Sequence, residues 1–221
     1  MPKNNFQITL LTGNLYDFIT DNHGFSEKVN NAYQINAMYE HQLKVLFKQF
    51  IKGLMYLHSE PKRFKGASNS NICICHCNLK PENLLYKLTS KGHPIYKISD
   101  FESALLFTND EPRLCHQRRG SYLLNGPEIF NEPYDAEMCD IYAFGAIILN
   151  AAIGFFEPPM NHSFHCKEAI ATLQKGKIEF CLRFKCGRLL TDLLAGLLKV
   201  DPSERMSLEN ALKHKWVQKA V

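Results

Sequence analysis

Apolar residues recur at three- and four-residue steps from about Tyr39 to His58, at Leu43, Leu46, Phe47, Phe50, Ile51, Leu54 and Leu57. Side chains spaced this way share one stripe of an α-helix, so the segment predicts an amphipathic helix turned toward a core. Ala136 to Ile153 is nearly continuously apolar and predicts a helix buried on all sides. Leu189 to Lys199 and Ser207 to Gln218 predict a helical C-terminus, broken at Asp201-Pro202, with Ser207 as an N-cap. Near the start, Phe6 to Leu11 reads as a strand ended by Thr12-Gly13, and Asn14 is placed to cap a short helix from Leu15 to Thr20. Leu84 to Leu88 and Ile95 to Ile98, joined through Gly92-His93-Pro94, predict two more short strands. Three stretches carry no periodic signal: residues 22–38, the polar and basic Glu60 to Asn71, and a long irregular run from Asp100 to about Pro133. The pattern is mainly α with a few short strands.

Composition narrows this modestly. A chain of 221 residues can bury one substantial core, and 45% hydrophobic with 22% charged residues is a globular balance. The net charge of +4 is too mild to argue for nucleic acid or an anionic membrane. No N-terminal segment has signal-peptide order, and the longest apolar run, Ile141 to Phe156, is interrupted and short for a membrane span. The expectation is a soluble, cytoplasmic protein with reduced thiols. Its eight cysteines then read as small hydrophobes. Cys73-Ile74-Cys75-His76-Cys77 has strand-like alternation and no second half at zinc-ligand spacing, so no structural metal is expected.

The chemistry-bearing stretch is His76-Cys77-Asn78-Leu79-Lys80-Pro81-Glu82-Asn83. It resembles the catalytic loop His-Arg-Asp-Leu-Lys-Pro-Glu-Asn of eukaryotic protein kinases of the serine/threonine type. Further motifs follow in order. Gly53-Leu54-Met55-Tyr56-Leu57-His58-Ser59 resembles the end of the preceding kinase helix, and Asp100-Phe101-Glu102 stands where the family has Asp-Phe-Gly. Gly120-Ser121 with Gly126-Pro127-Glu128 resembles the close of the activation segment. Asp140-Ile141-Tyr142-Ala143-Phe144-Gly145 resembles the start of the buried central helix, and Asp201-Pro202-Ser203-Glu204-Arg205 with His214-Lys215-Trp216 resembles the family's ending.

The resemblance implies a kinase-like large lobe, a helical bundle with short strands around the catalytic loop. Residues 1–13 would be a remnant of the last small-lobe strand and hinge, and 14–221 the large lobe, with 60–71 a loop insertion and 100–128 the activation segment. A Gly-x-Gly-x-x-Gly loop and a Val-Ala-Ile-Lys strand have no counterpart, so the small lobe is expected to be essentially absent.

It also implies roles. Asn78 occupies the position of the proton-accepting Asp, and a neutral amide has no basic lone pair for that proton. Asn83 and Asp100 match the magnesium-holding pair of a Mg-ATP site, or serve as loop hydrogen bonders. Lys80 matches the lysine that contacts the transferring phosphate, or is simply exposed. Glu102 replaces a glycine whose backbone freedom a Cβ would restrict; its carboxylate repels Asp100 or adds a ligand, and a stiffened loop is expected. Cys77 removes the arginine that would receive a phosphate on the activation segment. Glu128 with Arg205 matches a buried ion pair, and Asp140 matches a carboxylate accepting catalytic-loop N–H groups. The expected function is a pseudokinase or truncated kinase, more a binding module than an enzyme, engaging protein partners through the helical face around Phe164 to Phe180. A serine/threonine kinase whose small lobe comes from a partner chain or a longer isoform is the alternative, and a decaying gene product the third.

Overall fold

The computed structural model describes residues 12–22, 27–29, 32–35, 38–59, 72–108, 111–120, 124–156, 162–184 and 186–219. The expected strand at Phe6 to Leu11 and the 60–71 loop lie outside the described residues. The chain enters through β1 (Gly13–Asn14) and α1 (Leu15–Asn22), then β2 (Glu27–Val29), β3 (Ala32–Ile35) and α2 (Glu40–Ser59). Five short strands follow: β4 (Ile72–Cys75), β5 (Leu84–Leu88), β6 (Pro94–Ile98), β7 (Leu105–Thr108) and β8 (Leu114–Cys115). After β9 (Tyr134–Asp135) come α3 (Ala136–Ile153) and β10 (Phe155–Phe156). The rest is helical: α4 (His162–Lys175), α5 (Lys177–Phe184), α6 (Arg188–Leu197), α7 (Leu208–Lys213) and α8 (Lys215–Gln218).

Local chemistry sets the boundaries. Asn14 Oδ1 accepts from Asp17 N at 3.0 Å while the Asp17 carboxylate accepts from Asn14 N at 3.3 Å, a reciprocal cap that starts α1. Asp135 caps α3 by accepting from Glu137 N and Met138 N at 2.9 and 3.0 Å. Ser207 Oγ accepts from Asn210 N at 3.3 Å and starts α7. The helical C-terminus is two short helices rather than one, because His214 turns extended (ψ 143°) and its Nδ1 accepts from Trp216 N.

The core is α2 laid against α3. Phe47 (tilted) and Phe50 (edge to face) pack against Phe144 with ring centroids 5.0 and 4.8 Å apart, and Trp216 closes on Phe47 at 5.6 Å. Each such fully buried ring contributes roughly 1.5–3 kcal/mol of transfer free energy. Gly145 lets α3 approach α6, since a Cβ there would stand 2.9 Å from Leu197 Cβ. By length and hydropathy α3, which starts five residues before the apolar run at Ile141, is long enough to cross a membrane, but 83% of it is buried within the fold, as in a core helix.

Two stretches without periodic signal hold structure built on distant partners. Inside 100–133, β7 pairs antiparallel with β4, Cys73 opposite Phe107, and β8 pairs with β9. Inside 22–38, β2 and β3 form a hairpin whose β3 pairs with β10, more than a hundred residues on. Strands of two to four residues are too short to show alternation, and their pairing is non-local.

Candidate functional site

β5 and β6 form an antiparallel hairpin, extended by β1, in which Leu84 faces Ile98. That register brings the loop before β5 and the loop after β6 to the same end of the sheet. Ser99 fastens them, donating from its N–H at 2.9 Å and its hydroxyl at 3.0 Å to the Asn83 carbonyl. Asn83 is buried and its Nδ2 donates to the Asn78 carbonyl at 3.0 Å. Lys80 is half-buried, and its carbonyl accepts from Asn83 N at 3.0 Å. Asp100 is exposed at φ +62°, a left-handed conformation that aspartate tolerates. Asn78, Lys80, Asn83 and Asp100 thus converge on one loop cluster. Glu102 is exposed, and its φ is not positive. Glu102 thus adopts angles open to any residue with a Cβ; the left-handed non-glycine residues here are Asp100 and Cys77.

The loop is pinned from below by α3. Asp140 accepts from His76 N at 2.6 Å through Oδ2 and from Cys77 N at 2.8 Å through Oδ1, while His58 Nε2 lies 3.0 Å from the same Oδ2. His76 Nδ1 accepts from Asn78 N at 3.3 Å, so its Nε2–H donates to the Ser99 carbonyl at 2.8 Å. Its ring lies 5.0 Å from that of Phe101. His58, Cys75 and Asp140 place ligand-type atoms within 4.8 Å of one another. Both Asp140 oxygens already accept backbone N–H groups, so the trio reads as a hydrogen-bonded strut. His58 was missed as a site residue because its partner lies 82 positions away.

Cys77 sits at φ +60° and is buried, its thiol donating to the Cys75 carbonyl at 3.6 Å. Around it Cys75, Phe107, Cys115, Ile129, Tyr134, Ala136 and Cys139 form a small second core. Burial pushes the Cys75, Cys77 and Cys139 thiols well above the ordinary thiol range, and the negative charge of Asp140 adds to this. They pack as inert hydrophobes.

The 111–120 segment folds back onto the loop. Gly120 has φ +71°, and a Cβ there would fall 2.1 Å from the Cys77 carbonyl oxygen and 3.0 Å from Asn78 Cα. Its neighbour Arg119 is half-buried, and its Nε is buried with no hydrogen-bond partner. Arg118 lies over the Phe130 ring at 5.0 Å and 3.6 Å from Glu132, and Arg113 pairs with Glu137. Behind this, Arg205 binds Glu128 through both terminal nitrogens, at 2.6 and 3.0 Å. The helical face proposed for partners changes in detail: Phe180 is fully buried, packed 4.9 Å from Phe184, so it is core. Among the described residues there, Ile178 is an exposed large apolar side chain, 77% accessible, and the Phe164 side chain lies outside the described residues.

The exposed Asp100 carboxylate and the buried Asn83 amide stand on joined loop ends, with Lys80 in the same loop and Gly120 packed over it. The protein kinase domain family matches residues 11–217. Serine/threonine-protein kinase stk11 of Xenopus laevis is 33% identical over 78% of this chain and 36% of its own length. Serine/threonine-protein kinase grp of Drosophila melanogaster is 32% identical over 81% of this chain and 32% of its own. Calcium-dependent protein kinase 4 of Plasmodium berghei is 27% identical over 93% and 36%. The chain belongs to the protein kinase domain family, and it spans about a third of the length of these curated relatives.

Proposed function

We propose that this kinase domain acts as a non-catalytic protein-binding module. The observation that carries the reading is Asn78, an amide where proton transfer calls for a carboxylate, held in a loop that Asp140 anchors at His76 N and Cys77 N and that the Asn83 side chain anchors at the Asn78 carbonyl. A positioned base contributes about 10²–10⁴-fold to such a reaction. Cys77 adds to this, since a thiol in an apolar pocket has replaced a phosphate-pairing cation.

A second reading keeps phosphoryl transfer, with further parts of a nucleotide site supplied by a partner chain or a longer form. It is favoured by Asn83 and Asp100, whose oxygens suit Mg²⁺, a hard cation, and by Lys80. Bound with ATP, magnesium would offset phosphate charge at these residues. The expected result is no Mg-ATP-dependent phosphate transfer by the chain, and no difference on Asp100→Ala. Turnover that Asp100→Ala abolishes would sink the binding-module reading. A thermal-shift titration with ATP, with and without Mg²⁺, reports separately whether the nucleotide is held.

A further inference from the structure

α2 and β6 meet along a surface cleft of about 450 Å³. Its walls are fixed to each other. The Gln49 side chain ties helix to strand, its Nε2 donating to the Pro94 carbonyl at 3.0 Å and its Oε1 accepting from Tyr96 N at 2.9 Å. At Gly53 the two elements come so close that a Cβ would stand 3.3 Å from Ile98 Cδ1. A cleft bounded in this way is formed before any partner arrives, so binding there would cost little ordering of the chain itself.

The lining combines two kinds of side chain. Tyr56, Ile95 and Phe101 are large, apolar and exposed, and Ile98 is half-buried. Exposed apolar side chains gathered on one concave surface mark an interaction site more often than scattered ones do. Lys52 and Lys97 line the same cleft, one from each wall, and Lys48 stands one turn before Lys52 on α2. All three lysines are exposed, and none makes an ion pair among the described residues. The described lining holds no carboxylate; the acids nearest in sequence are Asp100 and Glu102, which flank Phe101. Like charge therefore faces the cleft from both walls with nothing of the chain's own to offset it.

We propose that the α2–β6 cleft is a docking site for a short acidic segment of a partner protein, with apolar anchors set among aspartate or glutamate residues. The anchors cover Tyr56, Ile95 and Ile98, and the carboxylates face Lys48, Lys52 and Lys97. Asp100 and Glu102 set the direction, since they repel carboxylates at the Phe101 end. An exposed apolar rim suits a chain laid across the cleft rather than a small molecule enclosed by it. The proposal rests on the binding-module reading and deepens it, naming the surface such a module would use and the chemistry of what it takes.

The test selects short random peptides, displayed on phage, against the whole chain; the enriched sequences are then synthesised with a fluorescent label for anisotropy. Enrichment of sequences that combine Asp or Glu with Leu, Ile or Phe is expected. Affinity should fall about tenfold when Lys52→Glu and Lys97→Glu are combined, and about fivefold or more in Ile95→Ser, from lost charge pairing and a lost anchor respectively. These three side chains are exposed, and circular dichroism confirms that each variant is folded. The same peptides rewritten with lysine at each acid should bind the charge-reversed variant better than the parent, which a merely structural effect would not produce. No enrichment, enriched sequences without acids, or affinity unchanged in both variants overturns the proposal. So does a concentration-dependent dimer in sedimentation that Ile95→Ser abolishes, which gives the cleft to a second copy. Binding to anionic vesicles that charge reversal abolishes gives it to a membrane and overturns it equally. Mg-ATP turnover is measured in parallel. A chain without turnover that fails these tests loses this site but keeps the binding-module reading, whereas Asp100-dependent turnover removes that reading itself.

Discussion

Replacing Arg205 with methionine is expected to be among the most damaging single changes in this chain. Arg205 uses all five N–H groups: Nε and Nη2 donate to the Lys199 carbonyl at 3.1 and 2.9 Å, Nη1 donates to the Met138 carbonyl at 2.6 Å, and both terminal nitrogens bind Glu128. Its side chain is 0% exposed and that of Glu128 is 9% exposed. The guanidinium also lies 4.9 Å over the Tyr142 ring. Methionine fills much of the volume but strands the Glu128 carboxylate, and breaking a buried pair from one side costs about 3–5 kcal/mol. Removing both charges, as Glu128→Leu with Arg205→Met, leaves no stranded ion and should cost less than Arg205→Met alone, on the order of 1–2 kcal/mol. Urea unfolding of the two single variants, the double variant and the parent completes a cycle, with an expected coupling of about 4 kcal/mol or more, since each single variant strands the other's charge. A cost for Arg205→Met below about 1 kcal/mol, or a double variant no better than the sum of the singles, refutes the buried-charge argument.

Gly120→Ala should destabilise by more than about 1 kcal/mol and raise protease cleavage near residues 113–120, because its Cβ meets the Cys77 carbonyl at 2.1 Å and its φ is +71°; unchanged proteolysis would show that the segment does not rest on the loop. Asp140→Asn, which turns an acceptor toward donors into a partial donor, should cost about 1–3 kcal/mol in thermal or urea unfolding, since His76 N and Cys77 N both donate to that carboxylate. Alkaline pH should destabilise the fold. Cys75, Cys77 and Cys139 titrate far above the ordinary value of 9.0 when folded, and Cys186 is pushed up to about 11, all first by burial. Their contribution is fully present below the unfolded value and is lost as pH rises through and past it, by up to roughly 1.4 kcal/mol per pH unit per thiol. Urea midpoints between pH 8 and 10 should fall accordingly, and less steeply in Cys75→Val; a flat profile would contradict the burial of these thiols.

Much of the fold was legible where one chain segment holds its own signal. The bounds of α3 follow from nearly continuous apolar character between Asp135 and Gly154, and α2 from a stripe over five turns. β5 and β6 needed only their own apolar runs and the turn between them. Legibility failed where the partner is remote: β7 is four residues whose register is set by β4, and β2–β3 is anchored by β10. The break at His214 failed for another reason, because helical periodicity runs on through a residue whose imidazole caps the next turn.

The site divides in the same way. Asn78, Lys80, Asn83 and Asp100 are legible through a motif, and the β5–β6 register brings all four to one end of the hairpin. What sequence reasoning could not weigh was the consequence of Cys77. Read as a lost cation, it implies that the activation segment has lost its means of order. In the fold the position is filled by packing: Cys77, Cys115, Tyr134 and Cys139 lie in one buried cluster, and β8 pairs with β9 beside them. Apolar burial of this kind needs no phosphate to switch it on, because the thiols stay neutral across the physiological range. Gly120, at φ +71° over the Cys77 carbonyl, rests its turn on the catalytic-type loop, and the apolar packing beneath that loop is what the turn is seated on.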